Sequence, residues 1–250
     1  MKHRIYVVGM GPGQENMMTQ EAMQVLEASD VIIGYTVYLK LLGERFGCKE
    51  LLSTPMRQER KRCQMCFEKA REGKKVALIC SGDAGIYGMA SLMLEIGKLY
   101  DDCIIEVIPG ITAASSGAAV LGAPLNHDFC VISLSDLLTP WEKIEKRLLA
   151  AAGGDFAIAI YNPSSHKRKD YLKKACDILL RVIEEERPCG YVENIGREGT
   201  KAVTCTLREL RDTQVNMFTT VFIGNSDTEL IHGKLVTKRG YHIERNTDIK

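Results

Sequence analysis

Three things are scarce in this 250-residue chain: long apolar runs, net charge and aromatic side chains. Its longest apolar stretches, such as residues 156–161, fall far short of the roughly 18 residues that span a bilayer. The first residues, MKHRIYVVGMG, carry too short an apolar run for a signal segment, and no small-residue cleavage site follows. These absences lead us to expect a cytoplasmic protein without a membrane partner. The 33 Lys+Arg balance 32 Asp+Glu, leaving a net charge of +1. With aromatics at 6%, no basic stripe interleaved with stacking rings is present, which argues against a nucleic-acid partner. The nine cysteines are odd in number, and without an export signal a disulfide framework is not expected. Cys63 and Cys66 form a CxxC, but no second pair or spaced histidines follow, so the chain should hold no metal of its own. That pair reads as two reduced thiols at i and i+3 of a helix, and Cys80, Cys103, Cys130 and Cys189 as small core residues in or beside strands.

What is present is a core and an order. The composition is 45% hydrophobic, enough to exclude global disorder. Short apolar runs alternate with helical periods. Strands are predicted at residues 4–9, 31–34, 76–80 and 104–108, with helices at 19–29, 59–72, 87–99 and 111–121. Thr19 is placed to cap the first helix. Residues 122–128, GAPLNHD, read as a linker. Beyond it come strands at 129–134, 156–161, 189–193, 202–206 and 219–223, and helices at 141–151 and 169–186. This predicts an α/β protein of two α/β domains, 1–125 and 126–250, with a mostly parallel N-terminal sheet and a mixed C-terminal sheet. The polar end, residues 244–250, should fray.

Three strand ends in the first half are rich in glycine and small residues: Gly9-Met10-Gly11-Pro12-Gly13, Ser81-Gly82-Asp83-Ala84-Gly85, and residues 109–116, PGITAASS. Ligands of open α/β sheets bind beyond the carboxyl ends of strands, so three such loops predict a ligand cleft. The ligand is not a clamped phosphate. A GxGxxG starting at Gly9 would need a glycine where Gln14 stands, Pro12 removes a backbone donor, and no ribose-binding acid follows the second strand. No GxxxxGK[ST] occurs. An adenosine carrying a compact charged tail suits the loops better; an NAD-binding oxidoreductase is the competing class.

GMGPG, SGDAGIYG and PGITAASS resemble the loops of the tetrapyrrole methyltransferase family. DFCVISLSDLLTPW (128–141), YNPSSHKR (161–168), ENIGREG (193–199) and TTVFIGNSDT (219–228) resemble its precorrin-3B or cobalt-precorrin-3 C17-methyltransferase branch. The resemblance spans residues 5–241. It implies a homodimer that uses S-adenosylmethionine, bound in the inter-domain cleft, to methylate a corrin precursor at C17 with contraction of the macrocycle. Carried over by motif, Pro12, Gly82, Asp83, Ala84, Ile86, Thr112, Ala113, Tyr161, Asn162, Gly190 and Tyr191 are cofactor positions. Gly11 falls to the substrate side. A sibling methyltransferase of the same fold acting on another corrin position, RNA or protein is the nearer alternative.

Ring contraction needs proton transfers, and the candidates are Ser133, Ser135 and Asp136 at the end of a strand. Residues two apart on a strand share a face, so the two serines should point together; the competing reading is a simple turn. A tetrapyrrole with many carboxylates needs cations, and Arg168 and Arg197 are the candidates, with His127 and His166 beside them. The basic run at residues 60–62 reads as a solvent-facing helix surface. Trp141 either stacks on the macrocycle or packs at a helix start, with Thr139 as its cap.

Overall fold

A computed structural model of the chain describes residues 2–241. The polar segment 244–250 lies outside the described residues. The chain forms two compact units: Met1–Ser116 with Gly196–Glu198, and Gly117–Ile195 with Gly199–Lys250.

In the first unit the strands are β1 (His3–Gly9), β2 (Val31–Tyr35), β3 (Glu50–Thr54), β4 (Val76–Cys80) and β5 (Cys103–Ile108). They pair in the order β3-β2-β4-β1-β5, and every pairing is parallel. Alternation of side chains splits the apolar residues between two faces. Ile5, Val7, Val31, Ile33, Val76 and Leu78 meet α3 (Glu59–Arg71) through Cys63, Cys66, Phe67 and Ala70. Val8, Ile32, Ala77 and Ile79 meet α1 (Gln20–Ala28) through Ala22 and Leu26. The near-continuous apolar strands therefore reflect burial on both faces, as parallel sheets require. Thr19 caps α1, its hydroxyl accepting the Ala22 N–H at 3.1 Å. Short α2 (Thr36–Leu39) follows β2 directly.

Two helices that follow glycine-rich loops start later than predicted. α4 (Ala90–Gly97) starts three residues late, because Asp83 Oδ1 accepts the N–H groups of Gly85 and Ile86 and Tyr87 sits at φ +54°. The chain there is a loop held by a carboxylate and not a first helical turn. α5 (Ala113–Leu121) starts two residues late, and the division between the units falls inside it. The basic run 60–62 is also not wholly on the surface: Arg60 and Lys61 are exposed, but Arg62 is buried.

The second unit holds β7 (Phe129–Ser133), β8 (Ala157–Tyr161), β9 (Pro188–Glu193), β10 (Lys201–Thr206) and β11 (Thr219–Ile223), in the order β10-β9-β11-β8-β7. Only β7 and β8 are parallel, so the sheet is mixed. One face is covered by α6 (Trp141–Gly153), α7 (Tyr171–Leu179) and α8 (Leu207–Arg211) through Ile144, Leu148, Leu172, Cys176, Leu207 and Leu210. The expected linker contains a strand: β6 (Gly122–Ala123) pairs in parallel with β13 (Lys234–Thr237), which pairs with β12 (Thr228–Ile231). Two residues are too few for a periodic signal, so nothing in the sequence marked it. Helix α7 ends at Leu179 instead of residue 186, where shorter bonds such as Val182 N–H to the Leu179 carbonyl replace the helical ladder. Pro140, not Thr139, is the N-cap of α6.

Candidate functional site

At the carboxyl edge of the first sheet, three loops are sewn together by backbone. Gly11 and Gly82 exchange N–H···O=C bonds at 3.1 and 2.7 Å, joining the loops after β1 and β4. Asp83 joins the third loop, its Oδ2 accepting the Gly110 N–H at 2.9 Å. Among the described residues, the Asp83 carboxylate thus accepts three backbone N–H groups from the loops themselves. Gly110 sits so close that a Cβ would lie 2.2 Å from the Gly82 oxygen and 2.6 Å from the Gly9 carbonyl carbon. Gly82 is the opposite case. It needs glycine for its φ of +69°, yet a Cβ there would meet nothing nearer than Thr112 Cα at 3.8 Å. Space thus opens above Gly82, bounded by Ile111, Thr112 and Ala113.

Arg197 belongs to this unit. Its Nε donates to the Pro12 carbonyl at 3.0 Å and its Nη2 to Ser81 Oγ at 3.1 Å. Burial lowers its pKa, and the nearby Tyr38 opposes the shift. Gly11, Pro12, Gly82, Asp83, Ala84, Ile86, Thr112, Ala113 and Arg197 thus share one strand edge. Gly11, Pro12, Gly82 and Ala84 are buried, whereas Ile86 is exposed. Ser81 opens the second of the glycine-rich loops, and its bond to Arg197 is a contact that the sequence pattern did not indicate.

The second unit gathers a different set. The Ser133 hydroxyl accepts from Asn162 Nδ2 at 2.9 Å and from the Ser135 N–H at 3.2 Å. Asp136 accepts Arg168 Nε at 2.6 Å on one oxygen and the Tyr171 hydroxyl at 2.5 Å on the other. The Tyr171 hydrogen bond, followed by the Arg168 charge, holds the Asp136 carboxyl below its usual range. The same hydrogen bond raises the Tyr171 phenol. Tyr171 also makes an edge contact with Trp141 at 4.8 Å between ring centres, and the Arg168 guanidinium lies 5.8 Å from its ring. Sequence reading passed over Tyr171, the first residue of α7, although it stands only three residues after Arg168.

Strand pairing sets Ser133 opposite Tyr161. Ser135 lies past the end of β7, so the predicted pairing of the serines on one strand face becomes a hydrogen bond from the backbone of one to the side chain of the other. Asn162 is at φ +53° just after β8. His166 is the exposed tip of a turn closed by mutual bonds between Ser165 and Arg168, and His127 is exposed with its Nδ1 accepting the Asp128 N–H. Gly190 and Tyr191 face opposite sides of β9: Gly190 packs against Leu121, and Tyr191 lies in the core under the helices. Among the described residues no cluster of three or more His, Cys, Asp or Glu could hold a metal, and no helix is long and apolar enough to cross a membrane.

Residues 4–211 match the tetrapyrrole (corrin/porphyrin) methylases. The chain belongs to that family. It is 45% identical to a probable cobalt-factor III C(17)-methyltransferase of Salmonella typhimurium, over 94% of this chain and 98% of that protein. It is 36% identical to a precorrin-3B C(17)-methyltransferase of Sinorhizobium sp, over 92% of each chain. Among solved structures, the methyltransferase CobJ aligns with a TM-score of 0.88 at 35% identity, covering 94% of this chain and 100% of that one.

Proposed function

We propose that this tetrapyrrole methylase transfers the methyl group of S-adenosylmethionine to C17 of a cobalt-loaded ring such as cobalt-factor III, or of precorrin-3B, with contraction of the macrocycle, in cobalamin biosynthesis. The observation that carries the reading is the 45% identity to the Salmonella enzyme over 94% of this chain and 98% of that one. Cobalt enters as part of the substrate. The higher identity to the cobalt-factor III enzyme than to the precorrin-3B enzyme favours the cobalt-loaded ring.

The residues present fit the methyl donor. A Cβ at Gly82 would enter the open space beside Thr112 and Ala113, and the Gly9–Gly13 and Ser81–Gly85 loops contain no Lys or Arg that would call for a phosphate. Gly82, Thr112 and Ala113, with Pro12 and Ile86, would hold it, while Ala84 is packed in the core beneath the loop. Bound there, it supplies an electrophilic methyl group on sulfur. Asp83 works at one remove, fixing the Gly110 and Ile86 backbones. Because the donor is already activated, the loops act chiefly by placement.

Ser133 is the polar group set up to move a proton. Its oxygen already accepts two hydrogen bonds, so its own hydrogen is directed outward as a donor. Asp136 has both oxygens engaged and stays ionised, which suits anchoring of Tyr171 and Arg168 better than proton abstraction. The reading includes a cytoplasmic homodimer, as the family resemblance implies; sedimentation velocity tests the oligomeric state. The deciding experiment for the reaction is mass spectrometry of product from cobalt-loaded and metal-free substrate. Gain of one methyl at C17 is expected, with the cobalt-loaded ring preferred; transfer to another carbon, or none, would overturn the reading.

A further inference from the structure

Arg62 and Arg187 are both buried, and they are solvated differently. Arg187 brings its own counter-ions: Nε and Nη2 donate to the two oxygens of Glu184 at 2.6 and 2.9 Å, and Nη1 lies 3.5 Å from Asp155. Arg62 donates only to neutral acceptors. These are Thr54 Oγ1 at 2.8 Å, the carbonyls of Thr54 and Pro55 at 3.4 and 3.1 Å, and the Met89 thioether at 3.6 Å. The Tyr35 ring lies 5.9 Å from its guanidinium. Among the described residues no carboxylate pairs with it. A buried cation without an anion is costly, and folds normally compensate as the fold does at Arg187.

The location gives this imbalance a use. Tyr35 ends β2, Thr54 ends β3, and Met89 follows the loop after β4. In an all-parallel sheet these are all carboxyl ends. Arg62 therefore stands on the same edge as the glycine loops, displaced toward β2 and β3. Tyr38 stands between the two regions electrostatically: burial raises its phenol, and both Arg197 and Arg62 oppose the shift. One Arg62 nitrogen, Nη1, is held only by a thioether, a weak acceptor on a flexible side chain.

We infer that Arg62 is the anchor for one peripheral carboxylate of the substrate, which takes Nη1 from Met89 and supplies the counter-ion that the fold withholds. The inference rests on the tetrapyrrole reading above and adds a division of the edge: β4, β1 and β5 present the donor loops, and β2 and β3 present the carboxylate subsite.

The test compares wild type with Arg62→Met, which keeps bulk without charge, and Arg62→Lys, which keeps charge without the fork. Each is titrated with cobalt-factor III by absorbance and with S-adenosylhomocysteine by calorimetry. Arg62→Met should weaken tetrapyrrole binding about tenfold or more, in line with loss of a charge-assisted bond. KM should rise more than kcat falls, with S-adenosylhomocysteine affinity and melting temperature retained and Arg62→Lys intermediate. Unchanged tetrapyrrole affinity in Arg62→Met overturns the inference and leaves the C17-methyltransferase reading standing. Equal loss of both ligands, or unfolding of Arg62→Met while Arg62→Lys binds normally, makes Arg62 a brace and also overturns it. A wild-type protein that binds no tetrapyrrole removes the functional reading itself.

Discussion

In the first unit, the candidate site is made of backbone: N–H and C=O groups of Gly11, Gly82 and Gly110, drawn together by one carboxylate at Asp83. In the second unit, the candidate site is made of side chains: Ser133, Asn162, Asp136, Arg168 and Tyr171. Backbone cannot rotate out of the way, whereas a side chain can be replaced by a near neighbour. The first site should therefore fail abruptly on adding a single carbon, and the second should degrade by degrees as single polar atoms are removed.

The largest effect is expected at Gly110. In Gly110→Ala the new carbon would lie 2.2 Å from the Gly82 oxygen, so the loops must part. Overpacking of this kind costs about 1–3 kcal/mol, and calorimetry should show S-adenosylhomocysteine binding essentially lost. Gly82→Val should lose it by another route, since a branched residue resists φ of +69° and fills the open space. Asp83→Ala should follow, because three backbone N–H groups lose their acceptor. Wild-type affinity in all three would mean that the donor binds elsewhere.

Next is Ser133→Ala, the test of the side-chain site. A positioned proton donor contributes about 100-fold or more to rate, so kcat should fall by about that factor while S-adenosylhomocysteine affinity stays unchanged. If single-turnover rates are unaffected, Ser133 merely orients Asn162, and the second cluster loses its chemical role.

How much of this contrast the sequence could carry depends on which kind of group makes each site. The glycine loops were legible because their composition is itself the signal, and so were the strands behind them, whose apolar residues alternate between two buried faces. The capping box of α8, Thr206 with Glu209, was also there to be seen: Thr206 Oγ1 accepts the Glu209 N–H and Glu209 returns the bond. What stayed hidden depends on tertiary placement. Arg62 lies one turn before Cys66 on the apolar stripe of α3, and a charged residue on such a stripe reads as an edge until packing encloses it. Strand β3 is mostly exposed, and β6 has two residues, so neither shows a period. Tyr171 became visible only when its hydroxyl met Asp136.

A smaller effect separates the two parts of the side-chain cluster. Tyr171→Phe removes the leading cause of the lowered Asp136 pKa and leaves Arg168 in place. A carboxyl depressed in the folded state stabilises the protein above its unfolded pKa, and that contribution is lost as pH falls through the folded value. The variant should therefore be about 1 kcal/mol less stable than wild type at pH 7. The gap should begin to narrow as pH falls below the usual carboxylate range and close only below the depressed folded value, where Asp136 is protonated in both. Urea titrations at neutral pH and near pH 3 give the comparison. A gap independent of pH would assign the loss to packing against Trp141 instead of to the hydroxyl.

The smallest effect tests whether the two units, so different at their sites, are equally closed beneath them. In the first, burial pushes the Cys63 thiol up to about 12 and Cys80 up to about 11; in the second it pushes Cys176 and Cys205 up to about 12. Cys48 is exposed. Thiolate is the reactive form, so raised pKa and burial act in the same direction. In the folded protein at pH 8, a disulfide-exchange reagent should consume Cys48 most rapidly, as assigned by peptide mapping, with the buried Cys63, Cys66, Cys80, Cys176 and Cys189 reacting only at the rate of unfolding. Fast labelling confined to Cys63 and Cys66 would show that α3 lifts from its sheet, and with it Arg62, so the backbone-built edge would be the more mobile of the two. Fast labelling confined to Cys176 and Cys189 would place the weakness under the side-chain site, where gradual loss of function is already expected.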